Sequence, residues 1–374
     1  MAIRFWSTAH FFWDGKQSWS SLYQDMIDLS QAAEDLGFEG ISMPENHFQN
    51  YVTNPSSLMF SAVVASKTKT LKIQPGVIVL PYYNPLLISS EIAALTHMAP
   101  GRIDIGIARG GSRPQFDRVG VNYDDVREIY EESLEIIRRS WVEDDMTHEG
   151  RFFNFPATTI VPKPYEEGGP ALWVAAQSVP GVRKVAEDGL NLLTMPNFGN
   201  FEPHGDFKIL MGEYNKAVEE SGKPRGGVMM LRHAWVAETE AQAKKFLPEM
   251  LHHWNHYNAF VKNSGDTSSA EGRLQRRVDD QGRTFVKGGF IIPETASPNT
   301  DNLFDDFDDP IMTTPDRFIE RVKGYEEMGV DRLSLHQTWG QPIGDVIKNM
   351  EFIAKEVFPE FEEKVPDAEA VVSV

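Results

Sequence analysis

The sequence alternates short apolar segments with helical ones along its length, and this rhythm constrains the fold more than any other feature. Eight segments are predicted to be strands: Ile3–Phe12, Phe38–Met43, Leu71–Leu80, Ile103–Ile107, Ala171–Ala176, Leu190–Thr194, Val228–Val236 and Leu333–His336. Strands that alternate with helices build a parallel sheet. Leu71–Leu80 is almost continuously apolar, as expected of a strand buried on both faces.

The helical segments fill the intervals between these strands. They are predicted at Leu22–Leu36, Pro55–Lys67, Pro85–Met98, Asp124–Trp141, Val182–Asp188, Asp206–Ser221, Thr239–Lys262, Pro315–Gly329 and Ile343–Val357. An open, doubly wound sheet is the competing architecture, but the sequence contains neither Gly-x-Gly-x-x-Gly nor a Walker-type Gly-Lys-Ser/Thr. We therefore predict one α/β domain over residues 1–374, a (β/α)8 TIM barrel.

Two stretches depart from the repeat. Residues 263–312, after the seventh strand, are rich in Ser, Gly, Asp, Asn and Pro. Long irregular segments of this kind are commonly binding loops, so we predict an insertion that acts as a lid over the barrel. The terminal residues 366–374 are predicted to be a frayed tail.

Composition excludes several classes of protein. The 374 residues include no cysteine, which excludes disulfides, zinc–thiolate sites, iron–sulfur clusters and a cysteine nucleophile. The net charge of −19 opposes binding to nucleic acid, because phosphate backbones are bound by clustered Lys and Arg. No segment has the length of a membrane span or the pattern of a signal peptide. We therefore expect a cytoplasmic protein that binds neither membrane nor nucleic acid.

Barrel enzymes place their active sites at the carboxyl ends of the strands, and two such ends suggest an anionic ligand. Arg109 follows the fourth strand beside a glycine pair, and Arg127 lies at the start of the next helix. Gln177 and Ser178 join the fifth strand to a helix, whose first N–H groups could bind phosphate. The alternatives are surface ion pairs for the arginines and ordinary helix capping for Ser178.

Three further motifs lie near predicted strand ends or on a helix. Gly76-Val77 interrupts an apolar strand, which indicates either close ligand approach or simple packing. Asn46-His47, after Glu45, could perform acid–base chemistry, or His47 could be structural. His252 and His256 have metal-ligand spacing, but no third ligand is evident, so no metal site is predicted.

Together these motifs resemble the bacterial-luciferase-like family of flavin-dependent monooxygenases over nearly the whole chain. The resemblance rests on the order and spacing of Pro44–Phe48, Ile78–Pro81, Gly101–Gly110, Trp173–Ser178, Thr314–Phe318 and Gly329–Asp331. The family fold is a TIM barrel with an insertion after strand seven. A homodimer and a separate flavin reductase as partner are also implied.

The resemblance implies a cofactor and a role for each motif. The cofactor is FMN, delivered as FMNH2, which reacts with O2 to form a flavin C4a-(hydro)peroxide and oxygenates a small apolar organic substrate. Arg109, Arg127, Gln177 and Ser178 would bind the phosphate. Gly76 and Val77 would back the flavin ring, often through a cis peptide in this family. Asn46 and His47 would be the catalytic pair.

Two residues depart from the luciferase pattern. Asn46 stands where luciferases carry a histidine proposed as the catalytic base, and Ala108 stands where they carry a reactive cysteine. Both departures argue against a light-emitting aldehyde luciferase. The choice between hydroxylation and Baeyer–Villiger oxygenation stays open, as does the substrate.

Three other functions compete with this interpretation. The first is an F420-dependent oxidoreductase that transfers hydride without O2. Such enzymes usually carry an Asp-His pair where this chain has Glu45-Asn46-His47. The second is a non-catalytic flavin-binding barrel. The third is a metal-dependent hydrolase that uses His47, His233 and His336.

Overall fold

The computed structural model describes residues 2–49, 51–195, 207–253 and 311–362, and the backbone of 284–286 and 290–292. Its strands are β1 Arg4–Thr8, β2 Gly40–Met43, β3 Lys72–Pro75, β4 Ile78–Val79, β5 Asp104–Ala108, β6 Met146–Glu149, β7 Asn154–Thr158, β8 Ala171–Ala175, β9 Asn191–Thr194, β10 Val228–Val236, β11 Thr284–Val286, β12 Phe290–Ile292, β13 Ile311–Thr313 and β14 Arg332–His336. Each strand predicted for the barrel is present, and most are shorter than predicted.

Helices follow the barrel strands and pack outside them. They are α1 Trp19–Asp35, α2 Ser57–Lys67, α3 Pro85–Met98, α4 Arg113–Val119, α5 Val126–Val142, α6 Val179–Asp188, α7 Phe207–Ser221, α8 Glu240–Ala243, α9 at 247–253, α10 Pro315–Glu327 and α11 Ile343–Glu356. Single 3-10 turns occur at Leu80–Tyr82, Tyr123–Asp125, Lys244–Phe246 and Phe358–Glu360. Helix α4 was not predicted, and the helix expected over Thr239–Lys262 is interrupted by a 3-10 turn.

The main sheet is a barrel of parallel strands. Its hydrogen-bonded order is β3-β2-β1-β14-β10-β9-β8-β5-β4. Because β3 and β4 are two halves of one strand, this path returns on itself, and a bridge between Ile73 and Ile103 joins its ends. The predicted (β/α)8 architecture is therefore confirmed.

The third strand differs from its prediction. It was expected to run without a break over Leu71–Leu80, but it is divided at Gly76-Val77, where the peptide bond is cis. Apolar patterning does not report this division, because the residues on both sides are equally buried. The cis peptide that the resemblance implied is confirmed.

The amino-terminal end of the barrel is closed by a buried charged layer. The Arg332 guanidinium lies 4.8 Å from the Trp6 ring and 4.5 Å from the Trp173 ring. It pairs with Asp104 at 2.5 Å and with Glu39 at 3.2 Å. A buried charge needs such partners to offset its desolvation. This layer leaves the carboxyl ends of the strands as the place where a ligand can enter.

The insertion and the tail lie largely outside the described residues. Within 263–312, β11 and β12 form an antiparallel pair, and β13 pairs in parallel with the upper part of β10. The lid function proposed for this insertion stays a prediction, and residues 366–374 are not described. In the described part of the chain, no helix has the length and apolar character needed to span a membrane.

Candidate active site at the barrel mouth

All four predicted phosphate ligands line a single cavity of 1120 Å³. The cavity is a groove between α5 and α6 that follows β8 from Leu172 to its end, and Arg109 reaches it from the end of β5. Two strand ends and two helices thus bring Arg109, Arg127, Gln177 and Ser178 together. The sequence alone does not show that these residues are neighbours, because Arg109 and Ser178 are 69 positions apart.

The amino terminus of α6 opens onto this cavity. Ser178 caps the helix, and its hydroxyl accepts a hydrogen bond from the Gly181 N–H at 3.4 Å. Ordinary capping, the alternative considered for Ser178, is therefore present. Capping does not exclude anion binding, because a helix has more unpaired N–H groups in its first turn than one side chain can satisfy.

The two arginines have different surroundings. Arg127 pairs with Glu131 one turn along α5, with an Nε–Oε1 distance of 3.2 Å, as in the surface ion pair considered from the sequence. Arg109 donates only a 3.3 Å hydrogen bond to the carbonyl of Gly110 among the described residues. Arg109 is exposed, so its guanidinium can approach an anion without first losing a carboxylate partner.

Glycines let the third and fourth barrel strands approach each other at the cis peptide. A Cβ on Gly106 would lie 2.6 Å from the carbonyl oxygen of Pro75 and 3.1 Å from Cα of Gly76. Gly110 has a positive φ of 79°, and a Cβ there would lie 2.6 Å from Cγ1 of Val79. Gly76 and Val77 are half-buried, so this narrow strip of backbone stays accessible from the mouth.

Asn46 and His47 follow β2 and are held in place by α4. Gln115 donates hydrogen bonds to Oδ1 of Asn46 and, at 2.8 Å, to the backbone carbonyl of His47. The hydroxyl of Tyr82 donates to Oε1 of Gln115 at 2.8 Å. Burial, reinforced by the nearby Glu45 carboxylate, raises the pKa of Tyr82, which keeps this hydroxyl protonated.

His47 lies beside a buried carboxylate. Its Nε2 is 3.5 Å from Oε1 of Glu45, whose other oxygen accepts a hydrogen bond from Ser57 at 3.2 Å. The His47 ring also packs edge-on against Tyr82, with ring centroids 5.3 Å apart. The Glu45–His47 pair can hold or pass a proton at Nε2, and the amide of Asn46 can only donate or accept a hydrogen bond.

A cluster of four histidines forms another side of the mouth. His10 follows β1, His233 lies in β10, His336 ends β14, and His253 projects from α9; we call these four the histidine cluster. Burial, with repulsion from His336, lowers the pKa of His10 well below its usual value, and burial lowers that of His336 to about 3. The pKa of His233 is also lowered, and burial is the largest cause. At neutral pH these three imidazoles are therefore uncharged.

Sequence reasoning only partly anticipated this arrangement. The hydrolase alternative named His233 and His336 together with His47, but the convergence of His233 and His336 with His10 and a helix residue was not predicted. His253 is the member of its helix that enters the cluster, whereas the metal-like spacing had singled out His252 and His256. His256 lies outside the described residues. Gln115 was missed because α4 was not predicted, although Ser112 at its N-cap position, Pro114 in its first turn and Gly120 at its end are helix start and stop signals.

Comparison with known proteins identifies the family. The sequence model of the luciferase-like monooxygenases matches residues 4–332. The chain belongs to this family, as its motifs predicted, and its class is that of the flavin-dependent monooxygenases.

Individual relatives of this chain include monooxygenases and an F420-dependent enzyme. The oxygenase component of the flavin-dependent trigonelline monooxygenase of Acinetobacter baylyi is 29% identical over 96% of this chain and 95% of its own. The FMN complex of the oxygenating constituent of 3,6-diketocamphane monooxygenase from Pseudomonas putida aligns with a TM-score of 0.72 at 18% identity, covering 96% and 99% of the two chains. An F420-dependent secondary alcohol dehydrogenase also aligns, with a TM-score of 0.69 at 14% identity and coverage of 97% and 100%.

Proposed function

We propose that this protein is the oxygenase of a two-component monooxygenase that uses FMNH2. The observation that carries the proposal is the shared cavity of Arg109, Arg127, Gln177 and Ser178 at the carboxyl ends of β5 and β8. A flavin mononucleotide has one phosphate and one broad ring system. The cavity would hold the phosphate, and the Gly76-Val77 backbone, which does not line the cavity, would back the ring.

The residues of the phosphate end fit a dianionic group. Arg109 is exposed and forms no ion pair within the described ranges, and the Val179 N–H offers a further donor in the first turn of α6, where Pro180 has no N–H and the Gly181 N–H binds Ser178. Arginine binds phosphate through a planar fork, and a helix amino terminus carries partial positive charge. In a chain of net charge −19, such a local concentration of donors favours one specific anion site over general attraction of anions.

Reduced flavin supplies the reactivity toward O2, and the protein supplies position, shelter and proton control. Glu45 and His47 are the groups that hold a proton at the mouth, at Nε2 of His47. Asn46, oriented by Gln115, presents an amide that can orient substrate or oxygen by hydrogen bonding. The insertion after β10 would exclude water once substrate is bound.

The substrate proposed is a small, apolar organic molecule. Aromatic rings border the histidine cluster: Tyr51 lies 4.8 Å from His10, Phe12 lies 5.0 Å from His253, and Trp339 lies 6.1 Å from His233, measured between ring centroids. Rings of this kind line pockets for apolar and aromatic ligands. The relative from Acinetobacter baylyi is named as a trigonelline monooxygenase, which supports a small organic substrate here.

A separate flavin reductase and a second copy of the chain are the proposed partners. The relative from Acinetobacter baylyi is named as an oxygenase component, which implies a second component that reduces the flavin. Hydride transfer with F420 is the second candidate function, because an F420-dependent dehydrogenase shares the fold. Glu45-Asn46-His47 departs from the Asp-His pair usual in F420 enzymes, and we therefore prefer FMN.

The decisive experiment combines cofactor choice with product analysis. The purified protein is titrated anaerobically with FMNH2 and with reduced F420, and then supplied with a flavin reductase, NADH, ¹⁸O2 and a panel of ring-containing ketones and N-heteroaromatics. We expect tighter binding of FMNH2 and one ¹⁸O atom in a product. Tight binding of reduced F420 with none of FMNH2 would refute the proposal. Flavin binding without any oxygenated product would support the non-catalytic alternative.

His47 is tested in the same assay. His47→Ala should lower the yield of product per FMNH2 consumed much more than it lowers FMNH2 affinity, because the residue controls a proton and does not bind the phosphate. Gln115→Ala should act in the same direction but less strongly, since it only orients Asn46 and His47. Unchanged coupling in His47→Ala would remove it from the mechanism.

A further inference from the structure

Three members of the histidine cluster converge on one point. His10, His253 and His336 each offer one ring nitrogen, and these three nitrogens all lie within 4.8 Å of one another. The residues come from β1, α9 and β14, and they are 4%, 0% and 1% exposed. Three separate elements must fold correctly to bring these nitrogens together, so the convergence is a property of the tertiary structure.

The rings of the three histidines pack directly against one another. The rings of His10 and His336 are stacked with centroids 4.3 Å apart, and His253 stands edge-on to both at 4.8 Å. Nδ1 of His10 is buried without a hydrogen-bond partner among the described residues. An unsatisfied buried polar atom costs about 1–3 kcal/mol, and a ligand bound at Nδ1 would remove that cost.

His336 has the outer contact that metal-binding histidines usually have. Its Nε2 lies 3.3 Å from the backbone carbonyl oxygen of Thr338. When Nε2–H donates to that carbonyl, the lone pair of Nδ1 is the one available for a ligand. Such a second contact fixes the tautomer and the orientation of a coordinating imidazole. The Thr338 hydroxyl also donates to the His10 carbonyl at 3.2 Å, which ties the ends of β1 and β14 together.

The donor set selects one class of cation. Magnesium and calcium require oxygen ligands, and the three converging groups are all imidazoles. Neutral imidazole binds zinc, copper, iron and nickel. Three protein ligands with a fourth position open is the arrangement of catalytic zinc sites. His233, whose ring centroid is 4.3 Å from that of His336, stands next to this position.

We propose that His10, His253 and His336 bind one divalent first-row cation of the zinc class. The fourth position faces the mouth, where His233 or an oxygen or nitrogen donor of a substrate completes the coordination. Zinc–nitrogen bonds of about 2.0–2.1 Å require the three nitrogens to move closer than they are now, and small rotations of the rings accomplish this. The site is independent of the proposed flavin chemistry, because it uses none of the residues assigned to FMN.

Metal analysis of flavin-free protein tests this proposal. Protein purified without chelator, stripped and dialysed, is titrated with Zn²⁺ by calorimetry and with Co²⁺ by visible absorption. We expect a stoichiometry of one and a d–d band typical of low-coordinate cobalt. His10→Gln and His336→Gln should each weaken Zn²⁺ binding at least 100-fold. His252→Gln, on the same helix as His253 but outside the triad, should leave it unchanged.

Each outcome decides the proposal. If the wild-type protein binds neither ion, or if the variants retain wild-type affinity, the cluster is packing and the site does not exist. Equal losses in His252→Gln and His336→Gln would contradict the assigned triad, because His252 lies outside it. Circular dichroism of each variant checks folding, and the wild-type titration decides the question even if a variant fails to fold. The metal titration uses flavin-free protein, so its result does not depend on whether the protein binds FMNH2. Failure of the metal proposal can therefore be distinguished from failure of the proposed flavin function.

Discussion

Arg109 and Arg127 differ in whether they would have to weaken an ion pair in order to bind an anion. Arg127, in the first turn of α5, is paired with Glu131 one turn further along the same helix. Arg109 has no such carboxylate among the described residues. A paired arginine must weaken its ion pair to contact phosphate, whereas Arg109 can bind phosphate without that cost. Arg109 should therefore contribute more to cofactor affinity than Arg127.

Replacing Arg109 by alanine tests this difference. Arg109→Ala should weaken FMNH2 binding by about 1.5–3 kcal/mol, the range for a hydrogen bond to a charged group, or roughly 10- to 150-fold. Arg118→Ala is the matched control: Arg118 lies on the nearby α4, donates to the carbonyl of Pro114, and does not line the cavity. Unchanged affinity in Arg109→Ala, measured by anaerobic fluorescence titration, would exclude Arg109 from the phosphate site.

Glu34 provides a pH-dependent contribution to stability away from the mouth. Burial alone would raise its pKa, but hydrogen bonds from the backbone N–H groups of Thr70, Leu71 and Lys69 lower it to about 2. A carboxyl whose pKa is lowered in the folded state stabilises fully above its unfolded value near 4.5, and this stabilisation is lost as pH falls toward 2. These hydrogen bonds connect Glu34, near the end of α1, to the residues that directly precede β3.

Glu34→Gln should lower the free energy of unfolding at pH 7 by about 1–2 kcal/mol, after discounting for partial solvent exposure. The difference from wild type should shrink as the pH is lowered from 4.5 to about 2.5. Urea unfolding at a series of pH values measures it, and Asp35→Asn, at the neighbouring exposed position, is the control. A difference that is independent of pH would contradict the role given to the carboxylate.

At the scale of elements, the sequence predicts what depends on periodicity and misses what depends on close contact. Helix α3 occupies Pro85–Met98, as its proline start and following Pro100-Gly101 indicated. Strand β10 occupies Val228–Val236 as predicted. Periodicity alone did not show the division of the third strand, which the family resemblance placed at Gly76-Val77; Gly106 approaches Pro75 across the sheet at this point.

The candidate site likewise contains residues that the sequence predicted and residues that it did not. Residues joined to strand ends by local pattern, such as Arg109 and Ser178, were assigned to the mouth from the sequence. Gln115 and His253 were not, because their importance comes from partners more than 60 positions away: Asn46 for the first, and His10 and His336 for the second. Tertiary contacts of this kind leave no periodic signal.

The cap of α6 gives a prediction at the scale of a single element. Ser178→Ala should destabilise the protein by about 0.5–2 kcal/mol, because the Gly181 N–H loses its hydrogen-bond partner. Ser112→Ala is the matched control, since Ser112 stands at the same position of α4 but its side chain makes no capping hydrogen bond. Thermal unfolding compares the two variants. A larger loss in Ser112→Ala would contradict the assignment of the cap.

At the scale of the whole molecule, the barrel has one closed end and one functional end. The Arg332 layer fills the amino-terminal end, a hydrogen bond of 2.7 Å between Thr8 and Ser334 lies above it, and the histidine cluster follows toward the mouth. Buried polar atoms without a hydrogen-bond partner among the described residues occur at both levels: Nε1 of Trp173 in the Arg332 layer, and Nδ1 of His10 near the mouth.

The surface also predicts how the molecule associates. Helices α2 and α3 pack side by side. They expose Met59, Leu87 and Met98, at 59%, 65% and 61% of their areas respectively. Clustered exposed apolar side chains commonly mark an interface. We expect Leu87→Glu to shift the protein from dimer to monomer in sedimentation velocity at micromolar concentration. Ile209→Glu, at an equally apolar exposed position on α7, should not. A wild-type protein that sediments as a monomer would contradict the expected homodimer.

The central claim is that the mouth binds reduced FMN by its phosphate, and the most direct test compares FMNH2 with reduced riboflavin, which has the same ring system and no phosphate. Anaerobic titration should show FMNH2 binding at least tenfold more tightly, a difference of about 1.4 kcal/mol or more. Equal affinity for the two reduced flavins would contradict the claim, because Arg109, Arg127, Gln177 and Ser178 would then have no role in holding the cofactor.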